Sequence, residues 1–205
     1  MVFKIIALLM LLVFYTTYFA KMFSQKRKGI QTDQIGKGDK KGAVLLIEVL
    51  MKIASLLTPL VEVICILLEG TEEADILGFV QLPAGLKIAG IVLCVLGNAV
   101  FITSVLTMKD SWRAGVPAED KTELVTSGIY QWSRNPAFLG FDLVYIGIML
   151  MYCSFWLYIV TVFAIIMFHL QIVNVEEDFL QAAFGQPYID YKKKVCRYFG
   201  KKWNK

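Results

Sequence analysis

The sequence predicts an all-α integral membrane protein with about five transmembrane helices, a long polar loop and a polar C-terminal helical segment. Three observations predict it. Hydrophobic residues make up 57% of the 205, and mean hydropathy is +0.60, too apolar for an ordinary soluble domain. The apolar residues fall in runs near spanning length, roughly 20 residues. Lys and Arg crowd alternate connections, which sets a direction of insertion.

Composition also restricts the chemistry. Cys65, Cys94, Cys153 and Cys196 are far apart and mostly within apolar runs, so they form neither a disulfide framework nor a zinc pattern. His169 is the single histidine, which excludes a multi-histidine metal site and leaves little room for a Ser-His-Asp triad. No metal is expected. The net charge of +4 is gathered on one side of the predicted topology and suits a membrane surface better than nucleic acid.

The first span is read at residues 2–23, with Lys4 and Lys21 able to reach the interface. Its long apolar stretch and the poor cleavage site Tyr18-Phe19-Ala20 disfavour a cleaved signal peptide. Residues 24–42 form a basic loop, cytoplasmic by the positive-inside rule. The second span, 43–68, carries Glu48, Lys52 and Glu62; Glu48 and Lys52 have helical spacing for a pair, and Glu62 is read as an interfacial carboxylate. The loop at 69–82 is acidic and has no Lys or Arg, which places it outside. In the third span, 83–108, Gly90 and Gly97 fall on nearly one face and permit close helix contact, within the chain or with a second copy.

The longest polar connection runs from Lys109 to Asn135 and holds Pro117, Glu119, Asp120 and Lys121. Trp112, Ile129, Tyr130 and Trp132 within it argue for order. Residues 137–152 and 155–175 form a hairpin turning at Cys153-Ser154, its first arm short for a span. Asp142 should face protein, water or a ligand, and His169 reads as a packing residue. Glu176-Glu177-Asp178 opens an amphipathic extension broken at Gly185, and Pro187 starts a further short helix. A basic tail from Lys192 to Lys205 follows. With five spans, all basic regions share one side: N-terminus outside, C-terminus cytoplasmic, in the cell membrane.

The stretch 123–140 organises the chain: a polar, glycine-marked approach that runs through Arg134-Asn135-Pro136 straight into an apolar helix. Pro136 suits the first helical position, and Asn135 suits the N-cap, its side chain accepting from an early N–H. Such an N-terminus with Arg134 beside it can hold an anionic group, or Arg134 can simply anchor the helix at the headgroups.

Two stretches together resemble the isoprenylcysteine carboxyl methyltransferase family and its relatives among phospholipid methyltransferases, in the form of a bacterial or archaeal type of membrane enzyme. One is Leu124-Val125-Thr126-Ser127-Gly128-Ile129-Tyr130 with Ser133-Arg134-Asn135-Pro136 and Gly140. The other is Glu176-Glu177, Leu180, Phe184-Gly185, Tyr188, Tyr191, Val195, Arg197 and Phe199. Asn135, Phe138 and Gly200 stand where the family usually has His, Tyr and Pro.

The resemblance implies an S-adenosyl-L-methionine pocket built by the cytoplasmic loop and the C-terminal helical segment. Residues 1–108 then form three N-terminal helices and 109–205 the catalytic region. Carried over to this sequence, the catalytic residues are Arg134, Asn135 and Glu177, and the cofactor-binding set is Leu124, Val125, Gly128, Ile129, Tyr130, Asn135, Pro136, Glu176, Glu177, Tyr188, Tyr191 and Arg197. Arg134 or Arg197 would meet the cofactor carboxylate, Glu176 or Glu177 its ammonium, and Leu124, Ile129 and Tyr130 its adenine. The acceptor would be a lipophilic small molecule or lipidated substrate entering from the bilayer, among membrane lipids. A carboxylate acceptor is ionised at neutral pH and needs no base, which favours O-methylation. An amine acceptor, as in phospholipid N-methylation, would need Asp142, Glu176 or His169 to take a proton. An NADPH-dependent sterol-type reductase and a non-enzymatic carrier are the remaining readings. Oligomeric state is left open.

Overall fold

Why the chain is helical follows from its long apolar runs, which inside a bilayer must satisfy every backbone group within the segment. The computed structural model describes residues 1–116 and 122–202. Pro117, Glu119, Asp120 and Lys121 of the polar connection, and Lys205 of the tail, lie outside the described residues. The long helices are α1 (Val2–Arg27), α2 (Gly42–Leu68), α3 (Ala84–Met108), α4 (Pro136–Met151) and α5 (Phe155–Gln171). After α5 the same rod continues through a π-helical turn, Ile172–Glu176, into α6 (Glu177–Phe184), and α7 (Gln186–Lys194) follows the break at Gly185.

Four of these rods, Val2–Arg27, Gly42–Leu68, Ala84–Ser111 and Phe155–Phe184, are long and apolar enough to cross a membrane, and Pro136–Met151 is a shorter apolar helix. The protein is an all-helical integral membrane protein. The extension predicted to open at Glu176 is thus the end of one continuous rod, whose π turn absorbs an extra residue instead of breaking it.

The centre of the bundle is the antiparallel pair α3 and α4, packed closer than ordinary side chains allow. A Cβ at Gly97 would come within 2.8 Å of the Gly140 carbonyl oxygen, and one at Gly90 within 2.5 Å of that of Gly147. The glycine face read at Gly90 and Gly97 is therefore filled by Gly140 and Gly147 of the same chain. Around this pair Phe14, Phe101 and Phe141 interlock, with ring centroids 4.5–5.3 Å apart.

Two predicted details are corrected. Glu48 does not pair with Lys52: Lys40 arrives from the preceding loop and sits 2.7 Å from Glu48, while Lys52 reaches Asp33 at 3.3 Å. Glu62 is not interfacial but fully buried in the bundle, and among the described residues neither of its oxygens has a hydrogen-bond partner. Asp142 is half-buried within the protein.

The connections sort by bundle end. At one end the 69–83 loop meets the hairpin turn through Val80 N–H to Cys153 carbonyl, 2.8 Å. There the Ser154 hydroxyl caps α5 by accepting from Leu157 N–H. At the other end the basic loop folds onto the segment after α3: Gln34 N–H donates to the Ala114 carbonyl at 2.8 Å, and Gln25 Nε2 to that of Trp112 at 3.0 Å. That end also holds the start of α4 and everything after α5.

Candidate functional site

Pro136 opens α4 at a position where its missing N–H costs nothing, and Asn135 is the N-cap residue. The Asn135 side chain does not cap the helix, however. Its Nδ2 donates to the Arg197 carbonyl at 3.1 Å, across 62 residues of sequence, while its own N–H donates to Ser133 Oγ at 3.1 Å. Arg134 N–H donates to the Cys196 carbonyl at 3.1 Å, and Gly200 N–H to that of Trp132 at 2.7 Å. The flank before the hairpin and the flank after it are thus stitched together by backbone groups.

Side chains make the second layer of stitching. Arg134, 8% exposed, forks: Nη1 donates to the Tyr188 hydroxyl at 2.8 Å and Nη2 to Glu177 Oε1 at 2.9 Å. Arg197 Nε donates to the same Glu177 oxygen at 2.7 Å, and Lys192 stands 2.7 Å from Oε2. The bond to Glu177 holds the Arg197 guanidinium above its ordinary pKa. The Tyr191 hydroxyl donates to the Tyr130 carbonyl at 2.6 Å. Burial raises the pKa of Tyr130, Tyr188 and Tyr191, so all three stay protonated.

Adjacent residues on the rod do different things. Consecutive helical positions point about 100° apart. Glu177 turns into the cationic cluster, while Glu176 lines two adjoining cavities. The polar one, about 90 Å³, is walled by Ser111, Arg113, Arg134, Asn135, Glu176 and Leu180. The apolar one, about 70 Å³, lies among Tyr18, Met51, Phe101, Phe138, Phe141 and Phe168. They share Arg113, Gly115 and Glu176. A surface groove of about 700 Å³, walled in part by Leu124 and Val125, joins the polar cavity at Met108, Ser111 and Arg113.

Of the residues singled out from the sequence, Arg134, Asn135 and Glu176 face the polar cavity, and Leu124 and Val125 the groove leading to it. Glu177, Tyr188 and Arg197 form the cluster behind Arg134. Gly128, Ile129 and Tyr130 form a short 3₁₀ turn against α3, with the Tyr130 hydroxyl bonded to Ser104 at 2.9 Å, and line neither cavity. Sequence reading missed Arg113, Ser111 and Gly115 as cavity walls. The signal lay in the aromatic and basic Trp112-Arg113 directly after a span, of which Trp112 was read only as a mark of order in the loop.

The phospholipid methyltransferase family model matches residues 86–187. Protein-S-isoprenylcysteine O-methyltransferases align at 31% identity: that of Tribolium castaneum over 52% of this chain and 38% of its own, and that of Saccharomyces cerevisiae over 53% and 46%. A solved eukaryotic intramembrane Ras methyltransferase, an isoprenylcysteine carboxyl methyltransferase, superposes with a TM-score of 0.54 at 26% identity, over 71% of this chain and 50% of that one. These matches support the isoprenylcysteine carboxyl methyltransferase family for this chain. The matches thus span less than half the length of these curated relatives. The part matched by the family model includes nearly all of α3 and the whole of α4 and α5, the helices that carry Asn135 and Glu176 to the cavities.

Proposed function

We propose that this protein is an S-adenosyl-L-methionine-dependent membrane methyltransferase acting on the carboxylate of a lipophilic acceptor, isoprenylcysteine-like or similar, at the cytoplasmic face. The observation that carries the reading is the junction of a polar cavity with an apolar one at Arg113, Gly115 and Glu176. An amphiphilic acceptor needs such a junction, with its tail among aromatic side chains and its polar end beside a second ligand.

The residues present fit the methyl donor. The polar cavity offers Arg134, whose buried Nε has no hydrogen-bond partner among the described residues, and the carboxylate of Glu176. An amino-acid moiety has the matching pair of charges. The groove beyond Ser111 leaves room for a nucleoside end beside Leu124 and Val125. When bound, S-adenosyl-L-methionine supplies a methyl group on a sulfonium, already activated for displacement. The protein's part is then to position and to exclude water. Phe138, Phe141 and Phe168 keep the acceptor side dry, and Arg113 stands where an ionised acceptor carboxylate would arrive.

An amine acceptor is the second reading, because the family model is that of phospholipid methyltransferases and Glu176 at the junction is placed to take a proton. Titrating the purified protein with S-adenosylhomocysteine and with NADPH tests the proposal. Saturable binding of the first alone is the expected result, and binding of NADPH alone would overturn it in favour of a reductase.

A further inference from the structure

Beyond the pocket, the segment after α7 carries a feature that methyl transfer does not use. Val195 and Lys201 bridge in antiparallel fashion, and Lys202 N–H donates to the Lys194 carbonyl at 2.8 Å, so residues 195–202 form a tight strap. At its tip Phe199 is 71% exposed and stacks on Trp132, itself 49% exposed, with centroids 6.3 Å apart and planes at 19°. The Lys201 ammonium lies 4.8 Å from the centre of the Trp132 ring. Two large aromatic rings are thus held out from the protein beside Lys194, Lys201 and Lys202.

We propose that this aromatic and basic tab is a docking surface for anionic lipid headgroups of the membrane that the chain spans. Two observations select that occupant. Trp132 stands three residues before Asn135, the N-cap of α4, which puts the rings at the level where an apolar helix begins. Amphipathic rings settle at that depth, and Lys side chains around them meet phosphate rather than hydrocarbon. The local charge is mainly positive: Asp190, which lines a groove with Lys194 and Lys201, is paired with Lys193, and the surplus of Lys complements an anionic surface. The strap is also tied to the site, because Gly200 bonds to Trp132 and Cys196 to Arg134. Lipid contact at the tab therefore steadies the backbone that carries Arg134 and Asn135.

The test uses the full chain in nanodiscs containing brominated phosphatidylglycerol or brominated phosphatidylcholine. Quenching of Trp132 is read as the difference between parent and Trp132→Phe. The anionic lipid is expected to quench it roughly twofold more or better, and a Lys194→Gln/Lys201→Gln/Lys202→Gln variant with unchanged thermal unfolding to lose that preference. Equal quenching by both lipids, no quenching, or a preference that survives the triple substitution overturns the proposal. Since no cofactor enters the measurement, its failure is separate from failure of the methyltransferase reading.

Discussion

Glu177 is the residue on which the cationic cluster depends, since Arg134, Lys192 and Arg197 all converge on its two oxygens. The three pairs are not equal. The side chains of Arg134 and Glu177 are 4% and 6% exposed, whereas that of Lys192 is 38% exposed and screened by solvent. Glu177→Ala, which leaves the buried Arg134 guanidinium without its carboxylate, should cost about 3–5 kcal/mol. Lys192→Met should cost below about 1 kcal/mol. Thermal unfolding in detergent checks both, and comparable losses would mean that the buried pair is not the anchor. Arg197→Lys keeps the charge but loses the fork, and S-adenosylhomocysteine affinity read by calorimetry should fall by about 1–3 kcal/mol. Unchanged affinity would confine Arg197 to structure. Residue roles were only half legible in the sequence. Helical spacing put Glu48 and Lys52 on one face, but spacing counts only neighbours within the helix, and Lys40 comes from a loop that folds back. Likewise Asn135 was read correctly as the N-cap residue, yet its side chain is claimed by the Arg197 carbonyl, a partner 62 residues away that no local rule names.

At the scale of elements, the pairing of α3 with α4 rests on backbone proximity at four glycines. The sequence carried half of this: Gly90 and Gly97 marked a small-residue face, but whether a second copy or another helix fills it depends on Gly140 and Gly147 meeting them in antiparallel register. Gly97→Ala forces a Cβ to within 2.8 Å of the Gly140 carbonyl oxygen and Val144, atoms held by helix backbone and packing. The expected loss is about 1–3 kcal/mol. A Cβ at Gly85, in the first turn of the same helix, meets nothing within 4 Å. Gly85→Ala should therefore stay within about 0.5 kcal/mol of the parent. Unfolding midpoints of the two variants decide it, and a Gly97→Ala protein as stable as the Gly85→Ala protein would show that the close approach is not needed. The π turn before α6 was illegible by contrast, because no residue type in Ile172-Val173-Asn174-Val175-Glu176 signals an inserted position.

Across the whole molecule, charge and connectivity agree on one end of the bundle. The basic loop after α1 is bonded to the segment after α3, and the strap after α7 to the residues before α4, so both basic regions lie with the cavities. The acidic 3₁₀ turn Glu72–Leu77 belongs to the opposite end, where Lys87 pairs with Glu69 at 2.6 Å. This much was readable in advance, because alternation of Lys and Arg between loops follows the membrane rather than any packing detail. If the site faces the cytoplasm, single cysteines at Lys37 and Lys202 in a background free of other cysteines should resist an impermeant thiol reagent in intact cells. A cysteine at Glu73 should react, which proves that the reagent works and the protein has reached the membrane. Removing the native thiols carries some cost at Cys65, whose Sγ lies 3.3 Å from the Ser154 hydroxyl, so Cys65→Ser is the replacement that keeps a hydrogen-bonding group there. Labelling at both Lys37 and Lys202 with protection at Glu73 would invert the topology and move the proposed methyl transfer to the other face. Labelling at one basic position but not the other would break the shared end itself, because the same helices cannot return the two regions to opposite sides.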